Sequence, residues 1–203
     1  CDSAESAQFS WDEVGRLQEV KKLQGTYDGE SYNFSGEPLV HYEYTYDSSN
    51  IRSVKKRIDH VAGSEQYTLY LGASFEVRDA VMSIDDTFSG GDSIKYASLF
   101  GSRMARIEEA PGGFVEDSAF LFYLTNHLGS TAMVLDSETG EVVEARADLP
   151  YGATDARVAS ADPRWSEFNA YYTLNGKEKD QGIDLFYFGK RYFSSPLGRW
   201  TSP

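Results

Sequence analysis

Trp11-Asp12-Glu13-Val14-Gly15-Arg16-Leu17 and Tyr46-Asp47-Ser48-Ser49-Asn50-Ile51-Arg52 follow one grammar. In each, an aromatic closes a run of strand-forming residues and an aspartate opens a turn. Three residues later stands a residue that tolerates left-handed backbone, Gly15 or Asn50. A basic residue, Arg16 or Arg52, then starts the return. An aspartate carboxylate accepts from turn amides two residues on, and glycine, then asparagine, enter the left-handed region at least cost. A turn written twice predicts an array of hairpins in which no single unit buries its own face.

Outward from these turns the pattern is strand, turn, strand. Val40 to Tyr46 is β-branched and aromatic, with Tyr42, Tyr44 and Tyr46 on one face at period two. Gln66–Leu71 and Ser74–Arg78 flank Gly72-Ala73, and Ser93–Phe100 turns at Gly101 into Met104–Ile107, giving two further hairpins. Phe120–Leu124, Ala132–Leu135 and Val142–Ala145 read as short strands, the last two separated by Asp136–Gly140. Leu185–Phe188 and Arg191–Phe193 form a final pair around Gly189. Trp11–Leu23 has some amphipathic character, but Gly15 interrupts it and a hairpin reads better. Trp165–Tyr172 offers one short helix after Asp162-Pro163. The fold class is all-β: an array of antiparallel β-hairpins with at most one or two short helices.

Composition excludes more than it proposes. The 203 residues carry 32 acidic and 19 basic side chains, a net charge of −13, which repels nucleic acid and anionic membranes. The longest apolar run, Ala119–Leu124, is six residues, so no segment spans a bilayer as a helix. Cys1 is the only cysteine, which removes a disulfide framework and thiolate zinc sites. Aromatics make up 14% of the chain, fourteen of them tyrosines, and suit a sheet whose two faces are both partly wet. Cys1 followed by small polar residues fits the lipidated first residue of a mature bacterial lipoprotein, the other reading being a fragment boundary.

The aromatic-Asp turn resembles the YD repeat of rearrangement-hotspot (RHS) proteins. The downstream half is similar to the RHS repeat-associated core. The carrying motifs are Tyr123-Leu124-Thr125-Asn126-His127-Leu128-Gly129-Ser130-Thr131, then Pro150-Tyr151-Gly152 and Tyr172-Thr173-Leu174-Asn175-Gly176-Lys177-Glu178-Lys179-Asp180. Gly182 to Phe193, with Gly189, Arg191 and Tyr192, and Pro196-Leu197-Gly198-Arg199-Trp200-Thr201-Ser202-Pro203 complete the series. The small, polar residues over 1–8 predict a flexible segment, and the resemblance implies YD-type hairpins over 9–110 and the core over 111–203. It also implies a secreted or cell-envelope protein, a β-shell around a C-terminal toxin polypeptide, and pairing with further RHS/YD sequence or a partner shell chain. No cofactor, metal or nucleic acid is expected.

In many members of the family the core also cuts the chain just beyond itself with an arginine, matched by Arg199, and aspartates that would fall after Pro203. Self-cleavage is therefore not assigned, and a non-enzymatic role is expected. Asn126 stands where the family has Asp, Lys190 where it has a small residue, and Ser195 where it has Asp. Two other readings remain: a surface-anchored carbohydrate- or cell-binding module using Trp165 and Trp200, and an autoproteolytic core.

Isolated site candidates are weak. His127 reads as a structural turn residue, since His41 and His60 lie far off without ligand spacing. Glu178, Asp180 and Asp184 resemble paired carboxylates for glycoside hydrolysis, but acids are abundant here. Glu178 with Arg191 is expected as a structural ion pair. Gly90-Gly91 and Gly112-Gly113 read as loop hinges, and Asn33-Phe34-Ser35 matches a glycosylation sequon.

Overall fold

The computed structural model describes residues 4–109 and 118–201. Cys1 and the Gly112-Gly113 loop lie outside the described residues. By internal packing the chain divides into two units, Cys1–Tyr70 with Val77–Gly91 and Leu71–Glu76 with Asp92–Pro203. Among the described residues regular structure is antiparallel strand, with only two short 3-10 turns, Pro163–Trp165 and Leu174–Gly176.

In the first unit, neighbouring strands run β1 (Ala4–Trp11), β2 (Leu17–Tyr27), β4 (Val40–Tyr46), β5 (Arg52–Asp59), β6 (Ser64–Tyr70) and, from Val77 on, β7 (Phe75–Met82). β3 (Tyr32–Asn33) pairs with the end of β2, and β8 (Phe88–Ser89) with the end of β7. Residues 4–8, expected as a flexible lead, instead belong to β1: Ala4 to Gln8 pair with Gly25 to Lys21. Their small polar side chains do not hinder pairing along the open edge of β2.

Tyr42 and Tyr44 do share a face with near-parallel rings, yet each is only 4% exposed, drier than the wet-face expectation. Cations cover them. The Lys55 ammonium stands 5.8 Å from the Tyr42 ring, and the Arg52 guanidinium lies 5.3 Å from Tyr44 and 5.0 Å from Tyr70. Arg52 is 2% exposed. Such contacts supply roughly 0.5–2 kcal/mol each, more as water is excluded.

In the second unit, β9 (Asp92–Leu99), β10 (Ser102–Glu109), β11 (Ala119–Thr125), β12 (Thr131–Asp136), β13 (Val142–Asp148) and β14 (Thr154–Ala159) pair in chain order. A smaller sheet follows, β15 (Glu178–Asp180), β16 (Leu185–Tyr187), β17 (Tyr192–Ser194) and β18 (Arg199–Trp200). The expected helix over Trp165–Tyr172 does not form beyond the 3-10 turn. Its carbonyls are claimed elsewhere: Arg157 donates to Phe168 O at 3.1 Å and Arg106 to Asn169 O at 2.8 Å. The segment instead crosses the sheet, and Trp165, Phe168 and Ala170 pack on Leu121, Tyr123, Val134 and Val143.

Candidate functional site

The turn predicted from Asp12 and Asp47 is a closed ring of two backbone bonds. Asp12 N–H donates to Arg16 O (2.9 Å) and Gly15 N–H to Asp12 O (3.0 Å), with Gly15 at φ +81°. Asp47, Asn50 (φ +60°) and Ile51 repeat it. The carboxylate of Asp12 also accepts from Val14 and Arg16 N–H, and that of Asp47 from Ser49 and Ile51 N–H. This is a type I turn followed by a left-handed residue, and it places a bulge in the flanking strand. Bulges occur beside both turns, at Ser10/Trp11 and Thr45/Tyr46. Arg16 returns to bond the Asp12 carboxylate at 2.5 Å, donates to Asn50 Oδ1 at 2.8 Å and lies over the Tyr46 ring at 5.1 Å.

Among the described residues, four more loops close the same ring. They begin at Ser83, Asn126, Leu149 and Thr173, with Asp86, Gly129, Gly152 and Gly176 in the left-handed position. The Asn126 loop contains His127 and Leu128, both exposed, so His127 is a turn residue. Asn126 Oδ1 accepts from Leu128 and Ser130 N–H at 2.9 and 3.1 Å, doing what the carboxylates do at Asp12 and Asp47. The change from Asp to Asn preserves the turn. The Thr173 loop differs in having a second left-handed residue, Asn175, before Gly176.

The remaining predicted residues scatter over the small sheet. Glu178 and Asp180 are buried on β15, and Asp184 is tied to Lys179 at 2.8 Å. Arg191 does not meet Glu178 as expected; its guanidinium lies 4.3 Å over the Trp200 ring. The exposed position of Arg191 and the burial of Glu178 keep them on different sides. Lys177 covers Phe188 at 5.6 Å, Tyr192 packs on Tyr187, Gly189 forms the tip between β16 and β17, and Gly198 lies against Tyr151. Arg199 is exposed in β18 opposite Ser194.

The two faces of the second unit's main sheet are chemically inverted. The covered face holds charge as well as Leu121 and Tyr123. Arg106, 1% exposed, sits between the rings of Phe168 and Tyr171 and bonds Glu108 at 2.6 Å. Burial works against its charge, but the Tyr123 and Tyr96 hydroxyls and Glu108 more than offset this and hold it protonated. The Tyr123 hydroxyl is pushed up by its own burial. Glu144, 1% exposed, accepts from Arg157 at 2.8 and 3.0 Å and from Arg146 at 3.3 Å. Glu76 accepts from the Tyr96 and Tyr172 hydroxyls, both at 2.7 Å, and the Arg103 guanidinium lies 4.1 and 3.5 Å from the centres of those two edge-to-face rings.

The opposite face is apolar and open. Across the strands Ile107 faces Phe120, Phe122 faces Leu135 and then Val142, and Leu124 faces Met133 and then Ala145 and Val158. Phe120, Phe122 and Leu124 are 39%, 45% and 48% exposed. Antiparallel sheets with one solvated face ordinarily make that face polar, and an apolar patch of this kind marks a contact surface.

In the first unit, the fold gathers residues that sequence spacing kept apart. His41 Nδ1 is 2.9 Å from His60 Nε2, the His41 Nε2 is 2.9 Å from Glu19 Oε1, and His60 Nδ1 is 3.1 Å from Glu37 Oε2. Burial lowers the His41 pKa, against the opposing pull of Glu19. The hairpin register, which sets His41 opposite Ile58, is the signal that brings His60 close.

No family model matches the chain. It is 24% identical over 197 residues to "Toxin subunit YenC1" of Yersinia entomophaga, covering 96% of this chain and 19% of that protein. The crystal structure of TcdB2-TccC3 aligns with 97% of this chain at a TM-score of 0.74 and 23% identity. The aligned part is 9% of that chain. The same assembly without its hypervariable C-terminal region aligns at 0.72 and 24% identity. The chain thus spans about a fifth or less of the length of these relatives, and it shares the β-rich fold of the section it aligns with.

Proposed function

We propose that this chain is a section of wall in an RHS-type toxin-complex shell, and that its open apolar face lies against an enclosed, incompletely folded polypeptide. The observation that carries this reading is the inverted sheet, with buried charge on the covered side and Phe120, Phe122 and Leu124 on the open side. A wall needs strand pairing, stiffness and a lining, and no chemistry. The hairpin rings and cation–aromatic stacks supply the stiffness. The lining is apolar, which suits a chain whose own hydrophobic residues are not yet packed. The edge strand β14 is exposed along its length, leaving backbone groups for a neighbouring strand of the same shell.

The sugar-binding reading is disfavoured by both tryptophans invoked for it. Trp165 is 8% exposed inside the aromatic core, and Trp200 carries Arg191 on its ring. Site-specific photo-crosslinking in the longer shell protein tests the wall reading. A benzophenone side chain replacing Phe122 is expected to capture the C-terminal polypeptide, and one replacing exposed Glu138 in a turn is not. Capture from Glu138 but not from Phe122 would reverse the assignment of inside and outside.

A further inference from the structure

The geometry points to a binding site for a divalent first-row transition ion of the zinc class in the first unit, held by His41 Nε2, Glu19 Oε1 and Glu43 Oε1. This site stands independently of the shell reading.

The sheet register puts Glu19 of β2 directly opposite Glu43 of β4, with His41 two residues along on the same face. Like charges directly opposite one another destabilise a sheet, and the lysines beside this pair offset that repulsion. The three ligand atoms all lie within 4.8 Å of one another. From His41 Nε2 the distances are 2.9 Å to Glu19 Oε1 and 3.9 Å to Glu43 Oε1. A tetrahedral ion with bonds near 2.0–2.1 Å sets its ligand atoms about 3.3 Å apart, a value these two distances bracket.

A second observation concerns protons. Glu19, His41, His60 and Glu37 form a line of three close contacts. Each carboxylate end accepts and so needs a ring N–H, and the middle contact needs one more. Two neutral imidazoles supply only two N–H groups. One further proton on either ring removes the shortage, and so does an ion on His41 Nε2. His41 Nδ1–H then donates to His60 Nε2, and His60 Nδ1–H donates to Glu37. A carboxylate–imidazole relay of this kind is how proteins orient a metal-bound histidine.

Lys21 and Lys56 neutralise the two carboxylates meanwhile. Lys21 Nζ is 2.6 Å from Glu19 Oε1 and Lys56 Nζ 3.4 Å from Glu43 Oε2. Both side chains reach solvent, and Lys56 keeps Glu65 at 2.7 Å as its other partner. The donor set has one imidazole and two carboxylates, which suits zinc-class ions. The imidazole nitrogen is what separates this set from a calcium or magnesium site, since those ions take oxygen ligands.

The test is calorimetric titration of ZnCl2 into the full 203-residue chain carrying Cys1→Ser, which removes the terminal thiol as a competing ligand. One ion per chain is expected, with no comparable heat from MgCl2 or CaCl2. Glu43→Gln, at a half-exposed side chain that folding tolerates, is expected to weaken binding at least tenfold. His41→Gln is expected to abolish it, with circular dichroism confirming the fold. His60→Gln is expected to weaken binding by about 10–100-fold while leaving one site and the visible spectrum of its Co2+ form. Absence of binding at about 0.1 mM Zn2+, equal binding of Mg2+, or affinity unchanged in Glu43→Gln and His41→Gln would overturn the assignment.

Discussion

Substituting Gly152 by alanine separates backbone strain from packing in the second unit. Gly152 occupies the left-handed position of the Leu149 loop at φ +82°. A Cβ there would stand 2.8 and 2.9 Å from the Phe186 ring and 2.9 Å from Leu174 Cδ2. Phe186 is fully buried and has little room to retreat. Left-handed backbone costs an L-residue about 1–2 kcal/mol, and overpacking a filled core adds about 1–3 kcal/mol. The sum is about 2–5 kcal/mol, a fall in melting temperature of roughly 4–20 °C for a chain this size. Gly140→Ala is the internal reference, since Gly140 has φ +71° and a methyl added there would meet nothing within 4 Å. It is expected to cost the strain alone. Urea and thermal unfolding of both variants, followed by near-ultraviolet circular dichroism, give the difference. If Gly152→Ala is no worse than Gly140→Ala, the close approach of the loop to Phe186 is not a packing constraint and the reasoning fails.

Other expectations follow from the same geometry. Leu121→Ala, on the covered face, is expected to cost about 2–5 kcal/mol, whereas Phe122→Ser, one residue along on the open face, should cost below about 1 kcal/mol and reduce dye binding and self-association. Equal costs would mean that both faces are packed. Asp47→Ala is expected to lose about 1 kcal/mol and Asp47→Asn almost nothing, because Asn126 already performs the same bonding; unfolding midpoints decide between them. The amides of Ser31 and Glu30 hold the Asp28 carboxyl below its ordinary range, and those of Ala62 and Val61 do the same for Asp59. Their stabilisation is therefore fully present above the unfolded pKa near about 3.9 and is lost as pH falls through the lower folded values. Melting curves across acid pH should show a smaller drop in the Asp28→Asn, Asp59→Asn double variant than in the parent chain.

Much of the hairpin order was legible because side chains announce it. Asp12 with Gly15, Asp47 with Asn50, and the glycines at 72, 101 and 140 mark turns that the chain then makes. The loops at Ser83 and Leu149 were not legible, since the ring that closes them is built from backbone and their first residues lack a carboxylate. Trp165–Tyr172 differs for another reason: its carbonyls bond Arg157 of the preceding strand and Arg106 of distant β10, contacts that local pattern does not reveal. Burial of Tyr42 and Tyr44 likewise depends on cations contributed by β5. The His41–His60 pair was hidden by the long stretch of chain between them, and only the β4–β5 register makes them neighbours. Glu178 and Arg191 were matched by charge without regard to burial, which the sheet assigns differently.

The six matching loops begin with Asp, Asp, Ser, Asn, Leu and Thr, yet close on the same pair of main-chain bonds. A module specified by its peptide groups can be copied along a chain while its spelling drifts. Motif counting will therefore understate how many such modules a protein contains, and distant members will look more alike in three dimensions than in text. For chains of this sort, tallying left-handed residues that follow a strand end is a better census than searching for tyrosine-aspartate pairs.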